Sequence, residues 1–196
     1  IHGGYWLAFG PRDFSHLAAG AVEAGWACAT PAYTLAPQAR ISTMTAEIAA
    51  ALAAIADRTE GPMVVTGHSA GGHLSARMAQ ESMSLSPAVL SRLKRVVPIS
   101  PLSDLRPLLE NSMNNELRMD LPEARAESPA LHARRPDVSA HVWVGGAERP
   151  SFLDQARRLG NAWTCPVTVE PDLHHFNVID GLERADSLLM QTILKL

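Results

Sequence analysis

The sequence predicts a three-layer α/β fold, a mostly parallel sheet with helices on both faces, and three observations carry that prediction. Short β-branched or apolar runs alternate with longer stretches of helical periodicity from one end of the chain to the other, which is the pattern of βα units. The 196 residues suit one domain. At that size a compact chain removes about 70% of its unfolded surface from water, and the 46% hydrophobic content is enough to fill the resulting core.

Taken in order, residues 14–24 read as a helix that stops at Gly25. Residues 26–33 read as a strand. A second helix is expected over residues 43–58, because Met44, Ile48, Leu52 and Ile55 fall on one face while Glu47 and Asp57 point elsewhere. The remaining strands are expected at residues 63–66, 95–99, 140–144 and 167–170, and the remaining helices at residues 70–83, 152–163 and 182–196. The proline-rich stretch 101–136 breaks this rhythm and reads as an insertion with small helices, a cap-like excursion of the single domain 1–196. Ile1-His2-Gly3-Gly4 stands where only the end of a strand is visible. Two or three further strands are therefore expected upstream.

Composition removes several classes of function. The net charge is −3, the charged fraction is 19%, and no block of lysine or arginine goes beyond pairs such as Arg134-Arg135, so a nucleic-acid footprint is missing. The longest apolar run, residues 48–56, is far short of the roughly 20 residues of a membrane helix. A soluble, cytoplasmic protein is expected, and a homo-oligomer is compatible with the sequence. Cys28 and Cys165 lie far apart in apolar or strand-like stretches and read as buried free thiols. No grouping of histidine and carboxylate has metal-ligand spacing, so neither metal nor cofactor is expected.

The chemistry centres on Gly67-His68-Ser69-Ala70-Gly71-Gly72, where an apolar strand runs straight into a helix. A G-x-S-x-G turn between a strand and a helix leaves its serine strained, with the hydroxyl exposed at the carboxyl edge of the sheet. The new helix also aims its first N–H groups, including that of Ala70, at the same spot. Serine needs a base, a group to orient the base, and donors for a developing oxyanion. His2-Gly3-Gly4-Tyr5-Trp6 has the composition of an oxyanion loop, with Gly4 and Tyr5 as donors and Gly3 close behind. The base is expected after the last strand, where His174 and His175 are adjacent, and spacing alone leaves the choice between them even. The orienting acid is expected after the preceding strand, at Glu148, with Asp154 and Asp172 as the other contenders.

These motifs resemble the esterase and lipase branch of the α/β-hydrolase fold: His2-Gly3-Gly4, Tyr33-Thr34-Leu35-Ala36-Pro37, and G-x-S-A-G-G at residues 67–72. Four details, HGGYW at 2–6, GHSAGGHL at 67–74, S-x-x-x-DL-x-PL at 100–108 and HF at 175–176, make the chain most similar to kynurenine formamidases (arylformamidases) and their bacterial relatives. The resemblance favours His175, the histidine before phenylalanine, as base. It places the acid in Glu148-Arg149-Pro150-Ser151-Phe152, where the family has D-x-P-x-F, so glutamate here replaces aspartate. Asp104 is expected to cap a short helix over residues 105–109. The expected activity is hydrolysis of a small ester or amide through an acyl-enzyme, including release of formate from N-formylkynurenine. Tyr5, Trp6, His68 and Phe176 are the expected substrate contacts. A small-acyl carboxylesterase, a thioesterase and a catalytically silent binding module are the alternatives.

Overall fold

The computed structural model describes residues 1–196. Five strands, β1 (Met63–His68), β2 (Leu93–Ile99), β3 (Ser139–Ala140), β4 (Val142–Gly145) and β5 (Val167–Glu170), form one sheet. Every pairing is parallel, in the order β1-β2-β4-β5, and the short β3 pairs with β2 just before β4 takes over. The helices are α1 (Ala19–Glu23), α2 (Ile41–Ala56), α3 (Ala70–Met78), α4 (Pro87–Arg92), α5 (Asn114–Leu117), α6 (Leu121–Ala126), α7 (Pro150–Trp163) and α8 (Leu188–Leu194). Tight 3-10 turns occur at Pro11–Ala18, Arg106–Glu110, Pro129–Leu131 and Asp180–Glu183.

Successive side chains on a strand point to opposite faces, and this divides the core. Val65, Val96, Val142 and Val144 join α2, α3 and α7 in one cluster of 33 buried residues. Val97, Ile99 and Trp143 join α8 and the Asp180–Glu183 turn in a second cluster of 9. Burial on both faces is the condition under which parallel sheets are found, and the three-layer expectation is met. In α2, Met44, Ile48 and Leu52 are buried and Ile55 packs half-buried against the same cluster.

Several elements depart from the sequence reading. Residues 26–33 pair with no strand, because residues 26–31 and β1 face each other across an apolar cavity of about 450 Å³, also lined by Met190 and Ile193 of α8. Only Ile1 reaches that edge of β1, its amino group donating to Thr66 O at 2.8 Å and its carbonyl accepting from His68 N–H at 3.2 Å. Residues 14–24 begin as a 3-10 turn with a kink at Phe14, whose ring stacks on His2 and meets Phe9 edge-on. The helix from Ala70 ends at Met78 because the next residues turn aside to the insertion: Arg135 N–H donates to Ala79 O, and Gln80 bridges Arg134. The final helix splits where Ser187 caps α8 by accepting Met190 N–H. Neither thiol is fully buried: Cys28 is exposed on the unpaired 26–33 segment and Cys165 is half-buried, and both are free. No helix is long and apolar enough to cross a membrane.

The 101–136 stretch holds small helices, as expected, and two carboxylates tie it to the body. Glu123 accepts from Arg40 and from the backbone and hydroxyl of Ser42 at the start of α2. Glu127 accepts from Thr45 at 2.7 Å and from Arg77 at 2.9 Å, in a fully buried ion pair, while its carbonyl accepts from His73 Nε2. Asp104 accepts the Arg106 N–H at the start of the Arg106–Glu110 turn and pairs with its guanidinium. The expected cap is not formed: Leu105 is the N-cap residue and has no side-chain cap, and Asp104 holds a local turn to Arg106 instead.

Candidate active site

Ser69 joins β1 to α3 at φ +56°, a left-handed conformation that side chains avoid. The turn is forced from both sides. A Cβ at Gly71 would lie 2.1 Å from Ile1 O and 2.5 Å from His2 O, so only glycine lets α3 start this close to the neighbouring loop. Ser69 N–H donates to Ile99 O at 2.9 Å and Ser69 O accepts from His73 N–H at 2.9 Å, so both flanks are pinned. The residue is 2% exposed, and its hydroxyl is engaged by no protein group.

The loop at Gly3 and Gly4 lies directly against this turn: a Cβ on Gly3 would stand 3.2 Å from Ser69 Cβ. Gly4 sits at φ +106°, and its carbonyl accepts from the N–H groups of Leu7 and Ala8. The N–H groups of Gly3, Gly4 and Tyr5 are left without a protein acceptor. Ala70, the first residue of α3, cannot bond within its own helix, so its N–H is a fourth donor without a partner inside its own element. Tyr33 and Ala36 of the Y-x-L-A-P segment brace this loop. The buried Tyr33 hydroxyl donates to His2 O at 3.1 Å, its ring stacks on His2 at 4.3 Å, and Ala36 N–H donates to Trp6 O. His2 Nδ1 in turn donates to Gly3 O at 2.8 Å.

Glu148 follows β4 with its carboxylate fully enclosed. Oε2 meets His175 Nδ1 at 2.6 Å, and Oε1 accepts from Gly145 N–H at 2.9 Å and from the Ser100 hydroxyl. Burial by itself pushes this carboxyl up, but the bonds from His175, Ser100 and Gly145 outweigh it and hold Glu148 below the ordinary carboxylate range. A carboxylate can only accept, so His175 carries its proton on Nδ1 and keeps the Nε2 lone pair free. The ring is clamped between Phe152, stacked at 4.0 Å, and His68 at 4.5 Å.

The structure brings together only one pair of the alternatives left open by spacing. His174 is exposed and its Nδ1 accepts the N–H groups of Phe176 and Asn177, so its ring serves the loop. Asp154 pairs with Arg158 on the exposed face of α7, and Asp172 is exposed at φ +62°. Glu148 and His175 are the acid and imidazole that meet. Ser69 and His175 sit on adjoining loops, linked through His68, but share no hydrogen bond; such bonds are often long until substrate is in place.

Of the expected substrate contacts, Tyr5 is half-buried at the loop and Phe176 stands 79% exposed beside His175. His68 Nε2 is enclosed without a partner, and burial first, then the neighbouring His175, push its pKa down to about 3, so its ring is neutral. Trp6 is a correction: it is fully buried, edge-on to His73, and presents no surface to a ligand. Its place in an apolar-aromatic motif gave no sign of which way the ring would turn. Ser100 and Phe152 were missed as site residues, although both stand in the segments that carried the resemblance. No group of three or more His, Cys, Asp or Glu side chains could hold a metal ion.

Residues 1–177 match a family model described as the alpha/beta hydrolase fold. Kynurenine formamidase from Salmo salar is 26% identical over 209 residues, covering 100% of this chain and 71% of that protein. The enzyme of the same name from Danio rerio is 25% identical with the same coverage. A solved structure from Silicibacter sp., provisionally named a thioesterase, is 52% identical with a TM-score of 0.96, over 99% of this chain and 74% of that one. An esterase from Pyrobaculum calidifontis superposes with a TM-score of 0.75 at 18% identity, over 98% of this chain and 73% of that one, and shares the fold.

Proposed function

The chain belongs to the α/β-hydrolase family, and from that premise we propose that it is a serine hydrolase that cleaves a small carboxylic ester or amide through an acyl-enzyme on Ser69. The observation that carries this reading is the 2.6 Å contact between Glu148 Oε2 and His175 Nδ1. It fixes the tautomer whose Nε2 can take a proton, beside a serine on a strained strand-to-helix turn. His175 removes the Ser69 proton as Oγ bonds to the substrate carbonyl carbon, and Glu148 offsets the charge on the imidazolium. The N–H groups of Gly4, Tyr5 and Ala70, with Gly3 beside them, receive the oxyanion. As the intermediate collapses, the leaving group departs with the proton from His175. Water then attacks the acyl-enzyme with the same imidazole as base, releasing the acid and Ser69.

The similarity to kynurenine formamidases supports a formyl amide of an aromatic amine as substrate, with Tyr5 and Phe176 as the aromatic rim. A thioester is the second reading, favoured by the 52% identity to the protein provisionally named a thioesterase. Measuring kcat/KM for N-formylkynurenine, p-nitrophenyl acetate and acyl-CoA, with Ser69→Ala as control, ranks these readings. Formamide turnover that vanishes in Ser69→Ala is the expected result. Ester turnover without formamide cleavage would sink the formamidase reading, a preference for acyl-CoA would replace it with the thioesterase, and no turnover at all would leave a binding module.

A further inference from the structure

Ser100 enters the site only as a donor to Glu148, yet it occupies the junction of the site. It follows directly on β2, is fully buried, and sits at φ +46°, a conformation that costs a non-glycine residue strain. Its N–H donates to Trp143 O at 2.7 Å, while the carbonyl of the preceding Ile99 accepts the Ser69 N–H at 2.9 Å. The end of β2 therefore joins the serine turn on one side to the strand that delivers the acid on the other. The Ser100 hydroxyl has one protein partner, Glu148 Oε1.

We propose that Ser100 is a positioning residue: its hydroxyl, together with Gly145 N–H, holds one oxygen of Glu148 so that the other is aimed at His175. The proposal rests on the serine-hydrolase reading above. Glutamate carries one more rotatable bond than aspartate, so its carboxylate needs two anchored ends to hold a fixed direction. The structure supplies them by folding Glu148 back over Gly145. A Cβ there would stand 3.2 Å from Glu148 Oε1 and 2.2 Å from Leu173 O, on the loop that carries His175. Two donors on Oε1 leave Oε2 as the only oxygen free to meet Nδ1. Without the hydroxyl, the carboxylate keeps a single anchor and can swing about it, and His175 loses its fixed orientation and tautomer.

Two variants separate this role from simple packing. Ser100→Ala keeps the Cβ and the backbone strain but removes the donor. Ser100→Gly removes the donor and relieves the strain, so it should be more stable than Ser100→Ala. With purified full chain, the second-order rate of Ser69 phosphonylation by a fluorophosphonate probe and steady-state ester kinetics are measured, together with the far-downfield proton resonance of His175 Nδ1–H. Both variants should lose about 10- to 100-fold in labelling rate and kcat, with KM within about twofold, and the downfield resonance should broaden or move. An unlabelled Ser69 in the wild type would overturn the serine-hydrolase reading and this one with it. A labelled wild type with both variants reacting at the wild-type rate, or a loss confined to Ser100→Ala and matched by its loss of stability, would overturn the role of Ser100 alone.

Discussion

Replacing Glu148 by glutamine tests the acid in a way the surrounding donors make specific. Gly145 N–H and the Ser100 hydroxyl both point at Oε1, so an amide NH2 turned toward them would set donor against donor. The amide must keep its oxygen on that side and present its NH2 to His175 Nδ1, at the position where Oε2 now stands at 2.6 Å. Nδ1 then has to accept, and the ring carries its proton on Nε2. That tautomer cannot take the serine proton. Acid-to-amide changes that impose the wrong tautomer on a triad histidine cost about 10⁴-fold in kcat, equivalent to about 5.5 kcal/mol of transition-state stabilisation. Stability should change little, because the amide keeps both bonds to its oxygen and reverses, rather than loses, the one to the ring. Ester hydrolysis at pH 7.5, with urea unfolding alongside, measures both quantities. A Glu148→Gln variant within tenfold of wild-type kcat would refute the orienting role of Glu148 and the tautomer argument.

Other outcomes follow from particular contacts. Glu127→Ala strands the buried Arg77 guanidinium and should cost about 3–5 kcal/mol in urea unfolding; a loss under 1 kcal/mol would show that the 101–136 stretch is not held by this pair. Gly4→Ala drives a Cβ to 2.3 Å from Ala8 O at φ +106°, which should displace the loop donors and lower kcat by about 10²- to 10³-fold; unchanged turnover would remove the loop from the oxyanion site. His73 is fully buried, and burial above all, then Arg77, push its pKa down to about 3 against the raising effect of its bond to Glu127 O. In the unfolded chain it titrates near 6.5, so below that pH unfolding takes up a proton. Stability should therefore fall as pH drops from about 6.5 toward 3, by up to about 1.4 kcal/mol per pH unit from this group. His73→Leu should flatten the profile, and an unaltered slope would contradict the assignment.

Much of the fold was legible because its periodicities are strong. The run ending at Gly67-His68-Ser69 is apolar and β-branched, so strand, turn and helix could be placed within a few residues. The 26–33 segment has the same composition but forms no ladder, since β-propensity states only that a segment suits a pleated surface and not that a neighbour lies beside it. Pro11, Ser86-Pro87 and Ser187 all carried helix-start signals, and the break before α8 was readable from the last of these. The choice between His174 and His175 was not readable from spacing. What turns His174 to its own loop is Asn177, whose side chain accepts His174 N–H at 2.7 Å and whose N–H, with that of Phe176, turns to the His174 ring. Ser100 and Phe152 stayed silent because their roles are contacts across the sheet and along a ring face, and one-dimensional spacing does not encode either.

Acyl groups should pass through Ser69. Mixing the protein with p-nitrophenyl acetate, quenching in acid within the first turnover, and mapping the modified peptide by mass tests it directly. One acetyl group per chain is expected, on Ser69, and none in Ser69→Ala or Glu148→Gln on the same timescale. Turnover with an unmodified Ser69, or acetyl carried by another residue, would contradict it.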